Sequence, residues 1–385
     1  MKIIYITNSR IPTEKAHGFQ VMKMCEAFSN AGVELELWIP GRFNQIKENP
    51  LDYYNIRKTF KIRKIFVVDL IPLSKYLGWF ANFIESVSFA LFALFHLYRS
   101  DSHLSASTII YSRDQFVCWF LSFLNRKFIY EIHSFPKNLF WYKKLWRQAY
   151  RVVAITQGLK NLLIKQGIKA EKIVVAPDGV DLEAFNAVNQ PKEELKIELD
   201  LPANDFLVGY IGKFKTLGME KGIKTMITAL PLLEKDIKMV FVGGEELEIK
   251  EYKNLASRLN VSTQCLFINY QPYLKVIKYT KAMDALVIPF PNFPHYAFYA
   301  SPLKMFEYMA SGRPIIASDL PALREVLNDK SSLFFKPESA EDLARAIKML
   351  KASQMLGYHL SRQALADVKQ YTWENRVRKI LEFIK

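Results

Sequence analysis

The chain has 385 residues, half of them hydrophobic and 24% charged, which is enough apolar material for two or three domain cores and excludes a small stapled module. Lys and Arg number 53 against 38 Asp and Glu, and the net charge of +15 predicts an anionic partner: nucleic acid, an acidic membrane surface or a phosphorylated substrate. Cys25, Cys118 and Cys265 stand far apart with no C-x-x-C pair, so they indicate neither a disulfide framework nor a zinc knuckle, and a reducing, cytosolic compartment fits.

The first apolar run turns polar at Thr7 and Asn8, too early for the centre of a signal peptide, and reads as a buried strand. From there, short β-branched or apolar runs alternate with longer helical patterns, the signature of βαβ units on parallel sheets. A first series of strands is expected at 2–7, 33–38, 65–68, 108–111, 128–132, 152–155 and 173–176. A second is expected at 206–211, 239–242, 266–268, 285–289, 314–317 and 333–335. The polar, charge-rich stretch 186–204, with Pro191 and Pro202, separates them. The expected domains are 1–187 and 188–370, with a helix over 371–385 crossing back to the first.

Between the third and fourth strands, 77–98 carries one formal charge, Glu85, and is long enough to span a bilayer. Asn82, Glu85, Ser88, His96 and Arg99 share one stripe, interrupted by Phe92, while Phe83, Ile84, Val87, Leu91, Leu94, Phe95 and Tyr98 lie opposite. A helix covering the sheet, with an edge touching a membrane, fits this pattern better than a span. Two basic segments, 57–64 and 143–151, interleave cations with apolar rings and suit anionic headgroups or phosphates, or else are solvated faces.

The dinucleotide fingerprint G-x-G-x-x-G is missing, as are the P-loop pattern and any D-x-D pair, so dinucleotide oxidoreductase, P-loop and diphosphate-metal chemistry lose their main support. The most informative stretch is Ser301-Pro302-Leu303-Lys304-Met305-Phe306-Glu307, running on to Gly312. Ser301 suits an N-cap and Pro302 the first helical position, with Gly312 as the stop. At the start of that helix, the N–H groups of Leu303 and Lys304, the helix dipole and the Lys304 charge would form a phosphate site. Glu307, one turn inward, would accept hydroxyls of a ribose. An ordinary amphipathic helix with a solvated glutamate is the alternative.

These motifs resemble the retaining glycosyltransferases of family 4, the group 1 family, over nearly the whole chain. The resemblance implies an α/β GT-B fold, two Rossmann-like domains with parallel sheets facing across a cleft. It implies that Glu307 binds the donor ribose and that the start of its helix binds the diphosphate. Tyr299 stands where the usual pattern has a second glutamate, a departure shared by the S-P-x-K type, with Lys304 as a candidate substitute. Gly209-Tyr210-Ile211-Gly212-Lys213-Phe214, followed by Lys221-Gly222, resembles the family's G-R-L…K-G motif and implies a diphosphate clamp by Lys213 and Lys221. Lysine for arginine keeps the charge but loses the bidentate fork.

In the first domain, Glu131-Ile132-His133 matches the family's E-x-H and implies that His133 sits beside the reaction centre. As a lone histidine at a strand's carboxyl end it is also a better candidate than His17, His96, His103, His295 or His359. His17-Gly18-Phe19-Gln20 resembles the glycine loop that approaches the diphosphate. Asn269 and Tyr270 fall where the family contacts the base through the main chain. Asp178 and Asp181, in a P-D-G-V-D run, and Asp284 and Glu325 are assigned to structure. The resulting expectation is a retaining, metal-independent enzyme with no cofactor. It would move a sugar from a nucleoside-diphosphate sugar to a glycan or lipid-linked acceptor, in polysaccharide or glycoconjugate synthesis, in the cytoplasm or at the inner membrane face. A noncatalytic nucleotide-sugar or polyanion-binding protein of the same fold is the alternative, and nucleic acid is not an expected partner.

Overall fold

The alternating apolar runs form two parallel sheets, with helices supplying the connections. In the computed structural model, residues 1–57, 60–99, 108–124, 126–136, 138–216 and 218–385 are described. One compact unit comprises Met1–Pro177 with Trp373–Lys385, the other Asp178–Thr372. The boundary therefore falls ten residues before the expected one at 187/188. Burial explains the difference: Val180, Ala184 and Phe185 lie in the core of the second unit, so the stretch before the polar linker already belongs to it. Asp181 caps the helix Leu182–Ala187, accepting from the Ala184 N–H at 3.0 Å.

The first unit's strands are β1 (Lys2–Ile6), β2 (Glu34–Pro40), β3 (Lys61–Ile65), β4 (Thr108–Ser112), β5 (Phe128–Ile132), β6 (Arg151–Ala154) and β7 (Ile173–Val175). They pair in the order β3-β2-β1-β4-β5-β6-β7. Ile3, Ile4, Tyr5 and Ile6 are all buried, as a central parallel strand covered on both faces requires. The third strand lies earlier than expected, at 61–65 instead of 65–68, so part of the first basic segment is an edge strand. Arg63 and Lys61 pair with Glu36 on β2 at 3.1 and 3.6 Å, and charges on an edge discourage further pairing. Lys58 and Thr59 of that segment, like His103, lie outside the described residues. The second basic segment is split between the helix Phe140–Gln148 and β6, and its Leu145 and Trp146 are buried.

The helix Trp79–Arg99 covers the sheet as expected, and its buried face follows neither stripe of the sequence pattern alone. Its buried stripe is Ala81, Glu85, Phe89, Ala90, Ala93 and Leu97, while Phe83, Leu91, Phe95 and Tyr98 are exposed. The small residues Ala81, Ala90 and Ala93 on the buried face let the helix approach the sheet, and Glu85 is held by Arg42, whose Nε donates at 2.6 Å, and by Asn8 Nδ2 at 3.0 Å. Partners that topology supplies thus allow Glu85 to share a buried face with apolar residues.

The second unit's strands are β8 (Phe206–Ile211), a short hairpin β9 (Lys215–Thr216) with β10 (Met219–Glu220), β11 (Ile237–Gly244), β12 (Cys265–Asn269), β13 (Ala285–Ile288), β14 (Ile315–Ser318) and β15 (Leu333–Phe335). The six-stranded sheet runs β12-β11-β8-β13-β14-β15. The chain builds outward from β8 to one side, then restarts at β13 on the other, which makes the carboxyl ends of β8 and β13 a topological switch point. Asp284, read as structural, accepts from Lys192, from Lys196 at 2.9 Å and from the Leu207 N–H at 2.8 Å.

Candidate functional site

At the switch point the chain leaves β8 through Gly212, whose φ of +126° is left-handed backbone. A Cβ there would lie 3.1 Å from Lys304 Nζ, so the ammonium rests over the glycine. Gly243, at the end of β11 with φ +104°, would place a Cβ 3.0 Å from the Gly212 carbonyl carbon, so the two strand ends approach as closely as backbones can. The helix Leu303–Ser311 is tied to the same end: the Ile211 N–H donates to the Tyr308 hydroxyl at 2.7 Å, and that hydroxyl donates to the Ile211 carbonyl at 3.3 Å. Leu303 and Lys304 head this helix, so their N–H groups have no carbonyl one turn earlier to bond.

Ser301 does not cap it. Pro302 occupies the cap position, and the Ser301 hydroxyl instead accepts the Asp178 N–H at 2.9 Å. Fixing the chain at Asp178 outcompetes the local cap, leaving the helix start without a side-chain acceptor. Gly312 ends the helix in left-handed backbone at φ +72°, as expected.

Lys304 is buried, and its ammonium makes no hydrogen bond. It lies over the Tyr210 ring, 3.4 Å from the centroid. Burial, and then the charge of Lys221, hold its pKa well below the usual lysine value. Lys221 is itself lowered to about 8 by burial, with Lys213 adding repulsion. Lys213 lies 3.4 Å from Glu245, which opens the helix Glu246–Arg258. Glu307, partly exposed, is pushed up to about 7 by burial, against the pull of Lys304. The site thus concentrates positive charge where water is scarce, and an anion there would relieve repulsion and hydrogen-bond a stranded ammonium.

In the first unit, His133 follows β5 and bonds Glu131 through Nε2 at 2.5 Å. Glu131 is fully buried and also accepts from the Tyr111 hydroxyl and from Gln20 Nε2 at 2.8 Å, while Arg376 Nη2 lies 3.3 Å away. Burial alone would raise this carboxyl, but Arg376, His133 and Arg113 together hold it well below the ordinary range. Gln20 in turn accepts from Arg113 at 2.8 Å. Gly18 lies in the helix Ala16–Asn30, and the space of a Cβ is filled from within: the Tyr54 hydroxyl would be 2.3 Å away. Its glycine is thus required by packing. His17 beside it is lowered to about 4 by burial and by Arg113, so it is neutral at neutral pH.

Lys213, Lys221, Lys304 and Glu307 feel one another's charge in the second unit, and Ser301, Pro302 and Leu303 lead into the same helix. Asn269 ends β12, which is separated from β8 by β11, Tyr270 follows it, and both residues are exposed. Residues that sequence reasoning passed over are Gly243 and Gly244 at the end of β11, Arg113 and Arg376, while Gln20 was named only as part of the glycine loop. Of these, only the paired glycine closing an apolar strand carried a visible signal. Among the described residues, no group of three or more His, Cys, Asp or Glu is arranged to hold a metal ion.

Residues 191–367 match the family model for glycosyl transferases group 1, and residues 18–184 match that for glycosyltransferase family 4. TuaC of Bacillus subtilis, named for teichuronic acid biosynthesis, is 29% identical over 181 residues, 47% of this chain and 42% of TuaC. The D-inositol 3-phosphate glycosyltransferase of Nocardia farcinica is 24% identical over 251 residues, 62% of this chain and 53% of that protein. The chain therefore spans about half the length of these curated relatives. Anabaena HepE, solved in complex with UDP-glucose, superposes with a TM-score of 0.73 at 18% identity, covering 99% of this chain and 98% of HepE, a likeness of fold. With both halves matched by family models and both sheets by a GT-B structure, the chain belongs to the group 1 glycosyltransferases.

Proposed function

We propose that the protein is a retaining glycosyltransferase that takes a nucleoside-diphosphate sugar at the second unit's switch point and transfers the sugar to a glycan or lipid-linked hydroxyl. The observation that carries the donor reading is the buried Lys304 ammonium, without a hydrogen bond, beside Gly212 and the open helix start. A diphosphate there would receive Lys304, Lys221, Lys213 and the N–H groups of Leu303 and Lys304. Glu307 would accept the ribose hydroxyls, and the main chain at Asn269 and Tyr270 would meet the base. Negative charge grows on the leaving diphosphate as the glycosidic bond breaks, and cations fixed in a dry site stabilise that charge most. The departing diphosphate oxygen takes the proton from the acceptor hydroxyl on the same face, so configuration is retained. His133, oriented by Glu131, would serve as the first unit's catalytic histidine.

With lysines neutralising the diphosphate, turnover should persist in a chelator. The proposed setting is polysaccharide or glycoconjugate synthesis in the cytoplasm, at the inner membrane face. The test begins with melting shifts against UDP, GDP and ADP sugars, since a tightly bound donor stabilises the fold by mass action. Release of nucleoside diphosphate from the donor so found should fall sharply in Lys221→Ala and Glu307→Ala. Full activity in both variants would remove the site assignment.

A further inference from the structure

Large apolar side chains of the first unit stand in water. Trp79 is 75% exposed, Phe140 80% and Trp141 52%. They belong to two groups of ring contacts carried by three helices. Trp79 meets Phe83 at 5.9 Å, and Phe83 meets Phe116 of the helix Gln115–Leu121 at 5.8 Å. One turn on, Trp119 meets Trp141 of the helix Phe140–Gln148 at 5.2 Å. Two such aromatic groups, one helical turn apart on Gln115–Leu121, form a strip that is far more than the scattered apolar residues of an ordinary surface.

The charge around it has one sign. The three helices carry Arg99, Lys143, Lys144 and Arg147, and their single acidic residue, Glu85, is buried against Arg42. Lys144 lies over the Phe123 ring at 3.1 Å, and Arg99 over Phe95 at 5.7 Å, so cations cover the aromatic edges. Exposed Trp and Phe ringed by Lys and Arg, with no exposed carboxylate on these helices, complement an anionic lipid interface, where ring and cation both find partners. The helix Trp79–Arg99 is apolar enough to cross a bilayer, with a mean hydropathy of 1.5. Crossing would expose the ion pair of Glu85 and Arg42 to hydrocarbon, whereas lying flat buries only the outward rings.

A cavity of about 300 Å³ in this unit is lined by Arg113, Asp114, Tyr130, His133 and Tyr142, and by Phe116 from the strip. The candidate catalytic histidine therefore shares a cavity wall with the aromatic surface.

We infer that this aromatic and basic face docks flat on an anionic phospholipid bilayer, and that the acceptor reaching the His133 cavity is a lipid-borne hydroxyl. The acceptor part rests on the proposed transferase function, and the docking part does not.

The test is sedimentation of the full chain with phosphatidylcholine vesicles and with vesicles containing 30% phosphatidylglycerol, over a salt series. The protein should pellet with the anionic vesicles at low salt and be released at high salt. Trp79→Ser/Phe140→Ser/Trp141→Ser should lower partitioning at least tenfold. Lys143→Ser/Lys144→Ser/Arg147→Ser should lower it about a hundredfold, at about fivefold per cation. Melting shifts with nucleotide sugars should match the parent in both variants, which separates failure of docking from failure of the donor assignment and shows that both fold. Absence of the parent from anionic vesicle pellets, or unchanged pelleting of the aromatic variant, overturns the proposal. So does a concentration-dependent dimer that the aromatic variant abolishes, since the strip would then cover a second copy.

Discussion

Lys304 holds its ammonium 3.4 Å from the centre of the Tyr210 ring and has no hydrogen-bond partner. The cation–π contact offsets only part of the cost of burying a charge, so the ligand-free protein carries a destabilising group at the point where a diphosphate would bind. Lys304→Met should therefore raise the melting temperature of the free protein while weakening nucleoside-diphosphate binding about ten- to a hundredfold, the loss of one charge-assisted hydrogen bond of about 1.5–3 kcal/mol. Thermal melts and titration calorimetry check both effects. A lower melting temperature with unchanged affinity would assign Lys304 to packing.

Glu307 gives a pH signature of the same trade. Its carboxyl sits at about 7, above the ordinary 4.5, because burial disfavours the charged form. Between those values the folded protein keeps a proton that the unfolded chain has released, so this group's contribution to stability falls as pH rises through the window. Below 4.5 the cost is absent and above 7 it is complete. Glu307→Gln should thus melt higher than the parent at pH 8, by about 1–3 kcal/mol of stability, and equally with it at pH 4.5. An equal gap at both pH values would contradict the assignment.

Gly222 precedes the helix Ile223–Ala229 in left-handed backbone at φ +91°, and a Cβ there would fall 1.7 Å from the Pro289 carbonyl oxygen. Strain and collision act together, and neither partner is a flexible side chain. Gly222→Ala should cost about 3 kcal/mol or more and displace Lys221 from the cluster. Denaturant melts measure the first effect and donor binding the second. Gly218→Ala is the control for strain alone, since it has φ +76° with nothing within 4 Å.

Arg376 reaches Glu131 from the C-terminal helix Trp373–Ile384 while its Nε donates to the carbonyls of Pro177 at 2.9 Å and Ala176 at 3.2 Å. Arg376→Met leaves the buried carboxylate without its strongest cation and should destabilise the protein by about 3–5 kcal/mol at pH 7. Because Glu131 is held well below its ordinary value, the stability it contributes is present above about pH 4.5 and lost as pH falls below it. Removing Arg376 shrinks that shift, so the parent's advantage should narrow in acid. A constant difference from pH 7 to pH 3 would show that the pair does not govern Glu131.

The strand runs, the glycine stop at Gly312 and the family motifs were legible in the chain itself, because each depends on local backbone preference or on burial shared by every residue of a central strand. The domain boundary was read ten residues late, since a polar linker signals where order loosens and not where a core begins. Hydropathy alone also left open which face of Trp79–Arg99 meets the sheet. The close approach permitted by Ala81, Ala90 and Ala93, and the partners of Glu85, Arg42 and Asn8, come from distant segments that no helical period can reveal.

The candidate site divides in the same way. Lys304 and Glu307 were recognisable from the helix start after Pro302, and Lys213 and Lys221 from the likeness to the family's G-R-L…K-G motif. Their altered protonation was not, because it arises from mutual repulsion and from water excluded by packing. Ser301 kept the composition of a helix cap yet bonds Asp178, and Gly18 kept that of a phosphate loop yet makes room for Tyr54. The sequence by itself determined which elements form and which residue types gather at their ends, through periodicity and backbone preference. Only the tertiary structure decided which charges are buried and coupled, and which aromatic face is left in water, since both are set by contacts between segments far apart in the chain.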